Sequence, residues 1–110
     1  MADSAMEAAA ARIGIPFIRE AFADRGYRAD GKLLARHEPG AVLGSHVEVV
    51  EQVLQLVLHQ QVVTCEKKII PLTAQSLCIH GDHSTALASL QAIQQAFEQH
   101  QIKKKAFSIC

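Results

Sequence analysis

Ser76-Leu77-Cys78-Ile79-His80-Gly81-Asp82 is an apolar run that stops in a polar, turn-forming triplet, and a helix-patterned segment follows at once. Leu77 to Ile79, with Ser76 before them, have the character of a short strand covered on both faces. Gly81 permits a sharp change of direction there, and Asp82 or Ser84 can cap the next helix. In parallel α/β folds chemistry gathers at such carboxyl ends of strands, where a rigid sheet holds side chains while loops vary. His80 and Asp82, one glycine apart, are therefore the first candidate site residues.

Working outward, Ala86, Leu87, Leu90, Ile93 and Phe97 mark an amphipathic helix after this strand, and Ile102 to Ile109 read as a short strand or tail. Before it, Val62-Val63 and Ile69-Ile70-Pro71-Leu72 look like two short strands around Cys65-Glu66-Lys67-Lys68, a turn without glycine. Further upstream, Ser45-His46-Val47-Glu48 is a capping box. It opens a helix in which Val47, Val50, Val53, Leu54, Val57 and Leu58 keep helical spacing. A second box, Ser4-Ala5-Met6-Glu7, opens an alanine-rich helix that Gly14 is placed to end. Pro16 forbids its continuation, so Phe17-Ile18-Arg19-Glu20 reads as a short strand or an extended segment. The segment from Ala21 to Gly44 is a long connection, and the apolar residues spaced through it predict an ordered, packed loop. The alternation of helices and strands predicts an α/β arrangement. The first helix lacks a preceding strand and the strands are few for three helices, which points to self-association or to a piece of something larger.

At 110 residues the chain holds at most one domain, and 49% apolar with 20% charged residues describes a folded globular protein. Eleven basic residues balance eleven acidic ones, so no net field recruits nucleic acid or an anionic membrane. Lys103-Lys104-Lys105 reads as a solvated tail. No apolar run is long enough to span a bilayer and the start lacks the pattern of a secretory signal, which makes a cytoplasmic location the default expectation. Three cysteines, Cys65, Cys78 and Cys110, without CxxC spacing disfavour a disulfide framework or a zinc knot. The scattered histidines show no ligand spacing, so no metal site is specified.

Two strand ends carry candidate chemistry. At one, His80 and Asp82 can share a pocket and move protons; equally, Asp82 can be a helix cap and His80 can satisfy a carbonyl. The amino end of the following helix can also receive a phosphate or carboxylate. At the other, Glu20 is a candidate general base or cation ligand, Asp24 a second carboxylate and Arg25 a bidentate anion clamp. A surface network of Asp24 and Arg25 that only orders the loop, with Tyr27 packed over it, is the plainer reading. Arg36 is a further clamp candidate in the loop. The two ends are expected to converge on one cavity.

Two blocks carry a resemblance. The first is Glu20-Ala21-Phe22-Ala23-Asp24-Arg25-Gly26-Tyr27, with Asp30-Gly31, Leu33, Arg36 and Pro39-Gly40-Ala41. The second is Ala74-Gln75-Ser76-Leu77-Cys78-Ile79-His80-Gly81-Asp82, with Ala86. In this order they resemble the C-terminal part of the LamB/YcsF family, the A subunits of bacterial 5-oxoprolinase, over nearly the whole chain. The family's amino-terminal motifs, an acidic D-x-N-x-D-x-G-E strand and several histidine motifs, are absent from these 110 residues. The resemblance therefore implies one partial domain over 1–110, the C-terminal part of an incomplete (β/α) barrel of the glycoside hydrolase and deacetylase type.

It further implies ATP-dependent hydrolytic opening of 5-oxoproline to glutamate, together with partner subunits B and C and with ATP as co-substrate. On this reading Glu20, His80 and Asp82 are catalytic and Asp24, Arg25 and Arg36 bind substrate, while the isolated chain is expected to be inactive. The alternative is a non-catalytic remnant or assembly module of that family. A sugar deacetylase or hydrolase of the wider barrel class rests on fold analogy alone.

Overall fold

The computed structural model describes residues 4–80 and 86–103. Its order is α1 (Ala5–Ile13), β1 (Glu20–Phe22), α2 (His46–His59), β2 (Gln61–Val63), β3 (Ile69–Pro71), β4 (Ser76–Cys78) and α3 (Ala86–Gln99). Both serine caps form: Ser4 Oγ accepts from the Glu7 N–H and Ser45 Oγ from the Glu48 N–H. Gly14, in the left-handed region at φ 76°, ends α1.

β1 and β4 form a parallel pair, and β2 and β3 form an antiparallel hairpin. The hairpin turn is closed by Lys67 at φ 63°, a conformation in which a glycine would be unstrained. Strand alternation divides the parallel pair into two faces. Ala21, Ala23, Leu77 and Ile79 face the helices and enter two apolar clusters. One gathers Tyr27, Leu56, Val62 and Leu72; the other gathers Val49, Val53, Ile93 and Phe97 from α2 and α3. Glu20, Phe22 and Asp24 of the first segment and Ser76, Cys78 and His80 of the second occupy the opposite face.

Four expectations change. In α2 the buried stripe is Val49, Val53 and Leu56, while Val47, Val57 and Leu58 of the predicted face are exposed. The first strand lies at 20–22 rather than 17–20, so Glu20 begins it instead of ending it. β4 is only half-buried throughout, because helices cover one of its faces and β1 is its sole neighbour among the described residues. Leu87 and Leu90 of α3 are exposed; the buried stripe of that helix is Ser89, Ile93, Ala96 and Phe97. Asp82, Ser84 and the segment after Lys103 lie outside the described residues.

The long connection is packed, as its apolar spacing predicts. Tyr27, Leu34 and Ala41 are buried, and two isolated bridges, Arg25 to Val42 and Tyr27 to Leu33, tie its arms together. Gly26 lies so close to the loop backbone that an added Cβ would fall 2.1 Å from the Gly40 carbonyl oxygen. No side chain fits there.

Candidate functional site

The parallel register pairs Glu20 with Ser76, Ala21 with Leu77 and Phe22 with Cys78. Carried two residues beyond the strands, it sets Asp24 opposite His80. The last regular rung runs from the Ala23 N–H to the Cys78 carbonyl at 2.8 Å. The His80 N–H then turns to Asp24 Oδ2 at 2.9 Å, and His80 Nδ1 lies 3.0 Å from Asp24 Oδ1. A carboxylate only accepts, so Nδ1 carries the proton and Nε2 is the nitrogen left to exchange one. Asp24 is 1% exposed while the His80 side chain keeps 26% of its surface. The buried acid thus fixes the tautomer and aim of a partly accessible imidazole, an arrangement suited to proton transfer.

Two aromatic residues complete the setting. The Phe22 ring stacks on the imidazole at 5.6 Å between centroids with 7° between planes, closing one side of it. Tyr27, buried beneath, accepts the Phe22 N–H through its hydroxyl at 2.9 Å. Burial pushes the Tyr27 phenol up, with the Phe22 hydrogen bond and the Arg25 charge opposing the shift. The Cys78 thiol, on the same sheet face as His80, is also raised, first by burial and then by the charges of Glu20 and Asp24. A thiol held protonated is a poor nucleophile.

The sequence candidates divide in position. Asp24 and His80 come together across the two strand ends. Glu20 shares their face but stands at the opening of β1, opposite Ser76. Arg25 turns away from the face. Its Nε donates to the Ala41 carbonyl at 3.0 Å and its Nη2 to the Leu34 carbonyl at 2.7 Å, so the expected anion fork instead closes the loop. Both bonds order the loop, from a buried position and not as part of a surface network with Asp24. Arg36 is exposed in that loop. Asp82 and the amino end of α3, where an anion was expected, fall at 81–85, outside the described residues. Among the described residues no group of three or more His, Cys, Asp or Glu could hold a metal ion. Phe22 and Gln52 were missed as site residues: Phe22 reads as one of the apolar residues that pack the 21–44 connection, and the only signal at Gln52 is a polar residue beside Val53 on the buried stripe of α2.

The model of the LamB/YcsF family matches residues 1–109. The chain belongs to this family. It is 39% identical over 106 residues to a Limosilactobacillus fermentum protein named as the A subunit of 5-oxoprolinase, covering 96% of this chain and 43% of that one. The crystal structure of a lactam utilization protein from Thermus thermophilus superposes with a TM-score of 0.89 at 28% identity, covering 97% of this chain and 42% of the other. The LamB/YcsF chain described here therefore spans less than half the length of both relatives. Among its described residues no helix is long and apolar enough to cross a membrane.

Proposed function

We propose that this chain contributes part of the site of a 5-oxoprolinase A subunit, which opens 5-oxoproline to glutamate with ATP and with partner subunits B and C. The contact of Asp24 with His80 is the observation that carries the reading. It brings a tautomer-fixed imidazole to the carboxyl ends of two parallel strands, on the face the helices leave open.

Hydrolysis of a lactam adds water across the C–N bond: oxygen joins the carbonyl carbon, and the ring nitrogen leaves with a proton. His80 Nε2 takes a proton from the attacking water and returns it to the departing nitrogen. Asp24 holds Nδ1–H throughout and stabilises the imidazolium between the two transfers. In the assembled enzyme ATP phosphorylates the lactam oxygen and departs as ADP, so that C–N cleavage leaves an acyl phosphate, which a second water converts to the glutamate carboxylate and phosphate. Glu20 and Asp82 complete the catalytic group of this proposal, and Arg36 serves the substrate carboxylate.

A barrel completed by further strands fits the open sheet face and the coverage of 42–43% of the relatives. The same observations favour a second reading, an assembly module without its own turnover. Met6, Ile13 and Ile15, exposed on and after α1, suit burial against another polypeptide or a second copy of this one. The test is ATP-dependent release of glutamate from 5-oxoproline, measured with this chain alone and within a complete A subunit that carries its sequence, with subunits B and C present. Turnover only in the complete assembly, lost on His80→Ala, supports the catalytic reading. Turnover unaffected by His80→Ala favours the module, and turnover by this chain alone overturns the expectation that it is inactive.

A further inference from the structure

We propose that Gln52 is a positioning residue that holds the Asp24 segment in the geometry the imidazole requires; the inference rests on reading Asp24 and His80 as the site. Gln52 lies on α2 between Val49, Val53 and Leu56, which form the buried stripe of that helix. A polar group in such a place costs stability unless its hydrogen bonds are made. Its carboxamide Nε2 lies 2.9 Å from the Phe22 carbonyl, 2.8 Å from the Arg25 carbonyl and 3.4 Å from the Ala23 carbonyl. The two short bonds bracket Asp24 and the longer one shares their hydrogens.

The parallel register explains why the Ala23 carbonyl needs a donor. Regular pairing, continued past the Ala23 rung, would send the His80 N–H to the Ala23 carbonyl. That N–H goes instead to Asp24 Oδ2, which leaves the Ala23 carbonyl to another partner. Gln52 is that partner. The Asp24 carbonyl is taken separately, by the Leu43 N–H at 3.0 Å. Four consecutive carbonyls, from Phe22 to Arg25, are thus held from outside the strand, three of them by one side chain. This places the buried carboxylate against His80. Gln52 acts on the imidazole through this backbone, and a displacement of about 1 Å is enough to cost 10²-fold in a positioned reaction.

The experiment follows the His80 ring nitrogens by ¹⁵N NMR in the whole chain, with thermal unfolding as the control for fold. Asp24→Asn defines the signal of a broken pair. In Gln52→Met, of similar volume but without donors, the His80 Nδ1–H tautomer is expected to give way to a mixture while the signals of His37, His46 and His59 keep their positions. Retention of the parent His80 signal in Gln52→Met, with only a lowered melting temperature, overturns the proposal. Should Gln52→Met not fold, Gln52→Asn, one methylene shorter, draws the amide back from the carbonyls and is read by the same two outcomes. The underlying reading fails separately: Asp24→Asn leaving ring opening unchanged in the assembled enzyme removes the site, whatever Gln52 does to the tautomer.

Discussion

Asp24 Oδ1 meets His80 Nδ1 at 3.0 Å, and the offset of 56 residues between the two is the offset that pairs Glu20 with Ser76 and Phe22 with Cys78. The pair is a consequence of parallel register. A slip of one residue would turn His80 to the helix side of the sheet and leave a buried carboxylate without its imidazole.

Removal of either partner is expected to act differently on stability and on turnover. Asp24→Ala leaves the His80 N–H without its acceptor and should lower unfolding free energy by about 2 kcal/mol, read from urea denaturation. His80→Ala takes the Nδ1–H from the buried Asp24 carboxylate and should cost about 2–3 kcal/mol. Under the proposed function, ring opening by the assembled enzyme should fall about 100-fold in this variant, the contribution expected of a positioned acid and base.

Arg25 is expected to behave as a loop fastener. Arg25→Lys keeps the charge but cannot serve the Leu34 and Ala41 carbonyls from one planar group. The variant should lose about 2 kcal/mol, and limited proteolysis should cut between 28 and 40 at denaturant concentrations the parent resists.

Alkaline pH should destabilise the fold through two acids, the buried Tyr27 phenol and the half-buried Cys78 thiol. Cys78 and Tyr27 are raised from ordinary values of 9.0 and 10.0, so the folded chain holds both protons more tightly than the unfolded one. Their stabilising contribution is complete below those values and is lost as pH rises past them towards the folded-state values. Melting temperature measured from about pH 8 to about pH 11 should therefore fall. In a Cys110→Ser chain at about pH 9, iodoacetamide should modify exposed Cys65 well before Cys78. Glu20→Gln should quicken the Cys78 reaction by removing one of the charges that raises it.

The turn at Lys67 offers a gain. A side chain at φ 63° carries left-handed strain that glycine lacks, while glycine adds freedom to the unfolded chain. Lys67→Gly should raise stability by about 0.5 kcal/mol, read as a small rise in denaturation midpoint with an unchanged slope.

The local elements were legible because their signals are local. A serine three residues before a glutamate meets the amides of its own first turn, which is why Ser4 and Ser45 mark α1 and α2 correctly. The buried stripe of α3 is narrower than its spacing implies and leaves out Leu87 and Leu90, since periodicity shows which residues share a face but not how much of it a neighbour covers. The first strand shifts for a related reason. Phe17 and Ile18 have strand character, but the ladder begins where β4 supplies partners, at Glu20.

By itself the sequence determined the helices, the hairpin, the packed character of the long loop and the family resemblance, all of which depend on neighbours in the chain or on ordered motifs. It also named Asp24 and His80, each at its own strand end. Only the tertiary structure decided that these two meet, that Arg25 turns inward to the loop and that Gln52 holds the carbonyls around Asp24. Those outcomes are set by the register between strands far apart in sequence and by which buried polar groups are close enough to satisfy one another.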